Sequence, residues 1–268
     1  MGSTFEEDLV VWAQSPLGGY LLDHEMRMLS TRLPRLTGSS LLWLGYPGRG
    51  FSAQLCMQRE RTLILNDAVL AKSELGERFG SYLCASVTAL PLASASQHAI
   101  VVQHAFDQSR DVHEAVRESA RVMCLGGQII ILGFNPYSAW GLRRRVCGHF
   151  DDAPWRGRLV SLGRMQDWLQ LLGFRILETG YSVYRLPFGA PRVPSQRATR
   201  TDGLPVGGIY VLHARKEGPA LNVIRPSRQV ARPRLVPATV AGRISAAVPH
   251  GTPAAGSTVE GDGAAPAR

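Results

Sequence analysis

Between Leu9 and Lys216 the apolar positions change period several times, and each change marks an element. Leu9, Val10 and Trp12 fall in a first short helical segment. Leu21, Leu22, Met28 and Leu29 recur on one face of a second, with Glu25 inside the same stripe. Pro34 and Gly38 end that pattern. Short apolar runs then alternate with helical stretches. SLLWL (Ser40–Leu44), RTLIL (Arg61–Leu65), SYLCA (Ser81–Ala85), HAIVVQ (His98–Gln103) and Gln128–Gly133 predict five strands, and Phe51–Arg59 a helix between the first two. Asp111–Cys124 carries Val112, Ala115, Val116, Val122 and Met123 as an amphipathic stripe, with Asp111 as N-cap and Gly126–Gly127 as the stop. This alternation predicts a parallel sheet with helices on both faces.

Beyond Gly133 the pattern differs. Met165–Leu172 predicts a helix ended by Gly173, Phe174–Pro187 a long strand, Pro187–Pro205 a loop and Val206–Lys216 a final strand. Two strands joined without a helix imply an antiparallel hairpin closing the sheet. From Pro219 onward Pro, Ala, Gly, Arg and Val dominate and aromatic residues vanish, a composition that buries too little to offset its ordering entropy. The expected organisation is N-terminal helices over residues 1–38, packing on a domain of residues 39–218, followed by a basic and largely disordered tail over 219–268.

Composition narrows the class. The 268 residues are 45% hydrophobic and 19% charged, as in a soluble globular protein. The longest apolar run, around Gln128–Phe134, is far too short to span a bilayer, so no membrane insertion is expected. Glu6, Glu7 and Asp8 are unlike a secretory leader, which makes the cytoplasm the expected location. Cys56, Cys84, Cys124 and Cys147 show no metal-ligand spacing, so they read as small core residues and no metal site is expected. The net charge of +9 is carried almost entirely by arginine, lysine standing only at 72 and 216. Much of it lies in Gly141–Arg145 and beyond Arg185, which reads as a solvated basic surface.

The stretch Thr88–Pro136 is the most specific. Ala89–Leu90–Pro91 precedes the fourth strand, and Glu118, Arg121–Val122–Met123 and Gly126–Gly127 lead into the fifth. With the closing GGIYVLHARK, this resembles the class I S-adenosylmethionine-dependent methyltransferases of the type 11 group, over about Ser40–Lys216. The resemblance implies an α/β, Rossmann-like fold, with a seven-stranded sheet whose last strand is antiparallel. It also implies S-adenosyl-L-methionine as cofactor, bound beyond the carboxyl ends of the first strands.

On that resemblance the turn after the first strand, with Gly45, Gly48 and Gly50, brings bare backbone to the methionine part of the cofactor. Asn66 and Asp67 follow the second strand, where an acid takes the ribose hydroxyls; a turn or cap explains them as well. Val87 offers a backbone contact to the adenine, because Ser86 stands near the place of the usual acid. Gln103 and His104 end the fourth strand, facing the reaction centre, and the histidine reads as a polar strand-end residue rather than a base. Asn135–Tyr137 reads as a strand exit and part of the substrate wall. Trp43 replaces the acid of the first motif, and Pro47 interrupts its glycines. Pro47–Gly48 also suits the centre of a type II turn. The expected activity is methyl transfer to an unidentified acceptor, a small molecule in preference to RNA, with a non-catalytic interaction scaffold as the alternative. No catalytic residue is assigned.

Overall fold

A computed structural model describes residues 5–48, 50–66, 78–146, 158–187 and 204–218, all within a compact unit spanning Met1–Asn222. Helices α1 (Phe5–Ala13) and α2 (Pro16–Ser30) come first. Ser15 caps α2 by accepting a hydrogen bond from the Gly18 N–H at 3.1 Å, and Pro16 takes the first helical position, where no N–H is needed. Seven strands follow: β1 (Ser40–Leu44), β2 (Glu60–Leu65), β3 (Ser81–Cys84), β4 (Gln97–Gln103), β5 (Met123–Phe134), β6 (Phe174–Ser182) and β7 (Ile209–Lys216). Their order across the sheet is β3-β2-β1-β4-β5-β7-β6, and β7 runs antiparallel to both of its neighbours. The other helices are α3 (Ala105–Gln108), α4 (Val112–Val122), α5 (Ala139–Val146) and α6 (Leu162–Leu171).

Strand side chains sort by alternation. Leu42, Leu44, Ile100, Val102, Ile129 and Ile131 face α4 and α6, through Val112, Val116, Met165 and Leu169. Leu41, Trp43, Leu63, Val101, Ile130 and Leu132 face the other way, onto Leu21, Met28, Leu29 and Leu33. Covering both faces is why β1 and β4 read as continuous apolar runs. The N-terminal helix α2 is thus a layer of the fold.

Two local expectations are corrected. The helix foreseen over Phe51–Arg59 is only a 3₁₀ turn at Ala53–Leu55. Phe51, Cys56 and Gln58 are buried, a spacing that no helical face matches, and the Gln58 amide donates to the Leu36 carbonyl at 2.9 Å. Phe51 instead stacks on Phe79 at 4.1 Å, and both meet the edge of Trp43. Gly126–Gly127 do not stop α4, which ends at Val122 where β5 begins. Gln97 pairs with Met123 but Ala99 with Gln128, so the glycines lie in residues bulging out of register, with Gly126 at φ +78°. The end of α4 is held by the Lys216 ammonium, which donates to the carbonyls of Ala120 and Met123 at 2.7 and 2.9 Å.

The long penultimate strand is shorter than expected, stopping at Ser182, and the last strand begins at Ile209 rather than Val206. Cys56 is buried as foreseen, but Cys84 is exposed and Cys124 half-buried, so neither is a core residue; Cys147 lies outside the described residues. The tail over 219–268 also lies outside them.

Candidate functional site

Strand order reverses direction between β1 and β4, and in sheets of this kind ligands bind beyond the carboxyl ends at such a point. The glycine turn leaves β1 there. Gly45 has φ +94°, and a Cβ on it would stand 2.2 Å from the Gln103 carbonyl oxygen, so glycine lets the β1 exit lie against the end of β4. Gly48, at φ +78°, has the backbone that the third position of a type II turn requires. A Cβ there would touch the Leu22 side chain of α2 at 3.3–3.4 Å. Gly50 is exposed, although a Cβ on it would lie 3.8 Å from atoms of Asp23 and Met26. Gly45, Tyr46, Pro47 and Gly48 are all buried, Tyr46 packing with Leu9 and Leu22.

The end of β4 carries a cluster of buried polar groups. The Gln103 amide donates to Glu25 Oε2 at 2.7 Å, and His104 Nε2 lies 2.6 Å from Glu25 Oε1. His104 Nδ1 lies 3.0 Å from Asp107 Oδ2, which also accepts the Phe134 N–H at 3.1 Å. The imidazole stacks on Phe134 at 4.1 Å, and His104 holds φ +55°, a left-handed backbone that this network keeps in place. Burial works against a charged imidazole here. The Glu25 charge and the hydrogen bonds to both carboxylates outweigh it and raise the pKa of His104 to about 10. Burial likewise holds the Asp107 carboxyl above its ordinary range, against the His104 hydrogen bond and charge. An imidazolium with both N–H groups engaged has no lone pair to take a proton, so His104 is no general base in this arrangement.

The β2 and β3 exits are different. Asn66 is exposed, its carbonyl accepting from Cys84 Sγ at 3.3 Å; Asp67 lies outside the described residues. Ser86 is exposed and its hydroxyl lies 2.8 Å from that of Thr88, while the Val87 side chain is buried in the core with Leu42, Leu44 and Leu90. Glu118 and Arg121 hold the Leu90–Leu92 turn. Arg121 donates to the carbonyls of Leu90 and Leu92 at 2.9 Å, and Glu118 accepts the Leu90 N–H at 3.1 Å. At the far side Asn135 donates to the carbonyls of Pro205 and Gly207, and Trp140 Nε1 to that of Arg185. Trp140 is therefore packed and Tyr137 exposed. Among the described residues no group of three or more His, Cys, Asp or Glu could hold a metal ion, and no helix is long and apolar enough to cross a membrane.

Residues 47–131 match the family model of a methyltransferase domain, and the sheet order with its antiparallel last strand is that of the class I fold. The chain has the class I methyltransferase fold and is similar to the type 11 group over residues 47–131. An 88-residue segment is 38% identical to the uncharacterized protein YafS of Escherichia coli (strain K12), covering 33% of this chain and 37% of that relative's length. A methyltransferase from Thermotoga maritima, described as a possible histamine N-methyltransferase, aligns with a TM-score of 0.52 at 15% identity, over 74% of this chain and 92% of that one. Geranyl diphosphate C-methyltransferase from Streptomyces coelicolor A3(2), solved with Mg2+, geranyl diphosphate and S-adenosyl-L-homocysteine, aligns with a TM-score of 0.51 at 11% identity, over 71% and 80%. At these identities the likeness to the solved structures is one of fold.

Measured against the family's cofactor, the two halves of the site differ. Asn66 and Ser86, at the β2 and β3 exits, are exposed, and residues 67–77 lie outside the described ones. The methionine end does not fit as it stands, because Leu22 and Glu25 of α2 lie on the glycine turn and on Gln103. Trp43, in the place of the family's acid, is fully buried and meets Phe51 and Phe79 edge-on. The contribution of α2 was missed by sequence reasoning. Its one signal was an acidic residue, Glu25, inside an apolar stripe.

Proposed function

We propose that the protein is a methyltransferase that takes its methyl group from S-adenosyl-L-methionine and delivers it to an acceptor not yet identified, a small molecule in preference to RNA. The match of residues 47–131 to the methyltransferase domain, laid on a sheet of the fold's own order, carries this reading. The cofactor supplies an electrophilic methyl group on a sulfonium; the protein orients donor and acceptor and excludes water. In this reading Asn66 and Asp67 take the ribose hydroxyls and the backbone at Val87 meets the adenine. Gly45, Gly48, Gly50 and Gln103 border the methionine part, and the work is done in the cytoplasm.

Calorimetric titration of the purified protein with S-adenosyl-L-homocysteine tests the reading. Saturable binding that weakens on Asp67→Ala is expected, followed by transfer of labelled methyl from the cofactor to a fraction of cell extract. The rival reading is a non-catalytic scaffold that keeps the fold for interaction, favoured by Trp43 in the acid's place and by α2 lying over the glycine turn. Folded protein with no binding of either S-adenosyl-L-methionine or its demethylated product would establish the scaffold instead.

A further inference from the structure

The N-terminal helix α2 touches both sides of the switch point. Leu22 meets the Gly48 side, one turn before Glu25 takes the Gln103 amide and His104 Nε2 on the β4 side. Gly45, Gly48, Gln103 and His104 are buried by the chain's own atoms. Leu21, Met28 and Leu29 lie deep in the core and His24 Nε2 lies 2.7 Å from Ser182 Oγ, while the first turns contain Gly18 and Gly19, the poorest helix formers after proline. Glu25 is the polar anchor at the switch point, held by two hydrogen bonds from the end of β4.

We propose that the first half of α2, from Pro16 to Glu25, occupies the methionine end of the cofactor site as an autoinhibitory cover. Glu25 on Gln103 and His104 is its latch, and cofactor binding requires this half-helix to move off the glycine turn. The proposal rests on the methyltransferase reading. It accounts for a glycine turn filled by Leu22 beside exposed Asn66 and Ser86 at the β2 and β3 exits. It also gives Gln103 two states, donating to Glu25 when the cover is down and freed toward the ligand when it lifts.

A Cβ on Gly48 would lie 3.3 Å from Leu22 Cβ, close to the separation that a disulfide spans, so the double variant L22C/G48C can pin the cover down. Binding of S-adenosyl-L-homocysteine is measured for the wild type and for the variant in reduced and oxidised form. The reduced variant controls for strain at position 48. The oxidised form is expected to bind at least about tenfold more weakly than the reduced, because the competent state is removed. Equal binding by the two forms would overturn the proposal. On the wild type, amide hydrogen exchange over residues 16–25 is expected to speed up on saturation with S-adenosyl-L-homocysteine, and slowed or unchanged exchange would overturn it too. Wild-type protein that binds no S-adenosyl-L-homocysteine would instead bring down the methyltransferase reading, and this inference with it.

Discussion

Replacing Glu25 by alanine strips a buried imidazolium of one of its two carboxylates and leaves the Gln103 amide without its acceptor. The side chains of His104 and Glu25 are 2% and 0% exposed, so water cannot replace what is lost. Removing one partner of a buried pair costs about 3–5 kcal/mol. Glu25→Gln is different. Its side-chain oxygen still accepts from Gln103, and its amide donates to Nε2 of a neutral His104, whose Nδ1–H continues to Asp107. With every hydrogen bond kept and only the charge removed, the cost falls to about 1 kcal/mol.

The pH dependence separates the two effects further. The folded-state pKa of His104 is raised from 6.5 to about 10. Its contribution is therefore fully present below pH 6.5 and is lost as the pH rises through about 10. One proton gives a slope of about 1.4 kcal/mol per pH unit, so the loss across that window is of order 3–5 kcal/mol. Asp107, held up by burial, has a shift of the same sign and feels the charges of both Glu25 and His104, so the difference between wild type and E25Q reads the three coupled groups together. Urea unfolding at several pH values from about 6 to 9.5 measures it. Wild type should lose stability steadily across the range, E25Q should be nearly flat, and E25A should be the least stable at the acid end. An E25A protein within about 1 kcal/mol of wild type at pH 6, or an E25Q protein with the wild-type slope, refutes the reasoning.

Restoring the family's acid with Trp43→Asp should unfold the domain rather than improve cofactor binding. It empties the space beside the stacked Phe51 and Phe79 and buries an unpaired carboxylate, so loss of the cooperative thermal transition is expected. Phe79→Ala, which breaks the same aromatic group but adds no charge, should cost about 3–5 kcal/mol in urea unfolding and remain folded. Arg121→Met should release the Leu90–Leu92 turn, seen as faster amide exchange at Leu90 and the residues following it with little change in β4. Lys216→Met leaves the Ala120 and Met123 carbonyls without their ammonium donor and should lower stability by about 1 kcal/mol, measured at neutral pH.

The sheet was legible because its signals are local. Leu41–Leu44 and Ala99–Val102 are buried on both faces and so read as unbroken apolar runs, and Asp111 caps α4 through the N–H of Glu114, three residues away. The closing hairpin followed from the missing helix between two apolar stretches. Signals failed where the partner is distant. Gln58 is drawn to Leu36, and Phe51 to Phe79, so a stretch with helix-like composition is pulled into an irregular path. The stop after α4 comes from Lys216, 96 residues away from Ala120, and nothing near Val122 announces it. Glu25 meets Gln103 and His104 across 78 and 79 residues. No motif at that separation belongs to the pattern that carries the resemblance.

The glycine turn shows why its residues were ambiguous. A turn that cradles a ligand and a turn that packs both ask for glycine, since each needs a positive φ or a missing Cβ. Here packing alone accounts for two of the three. Gly45 is required by the Gln103 carbonyl, and Gly48 carries a left-handed backbone under Leu22. These glycines would be retained by a protein that binds nothing, so their presence does not argue for a cofactor. The departures need the same care. Trp43 packs in the core with Phe51 and Phe79, and with no helix after the turn that aromatic group fills the face of β1. Loss of the acid is therefore a repacking of the domain before it is a loss of chemistry. The weight of the functional argument moves off the first motif and onto the exposed β2 and β3 exits and the hold of α2 on β4, where occupancy by ligand and occupancy by helix are alternatives.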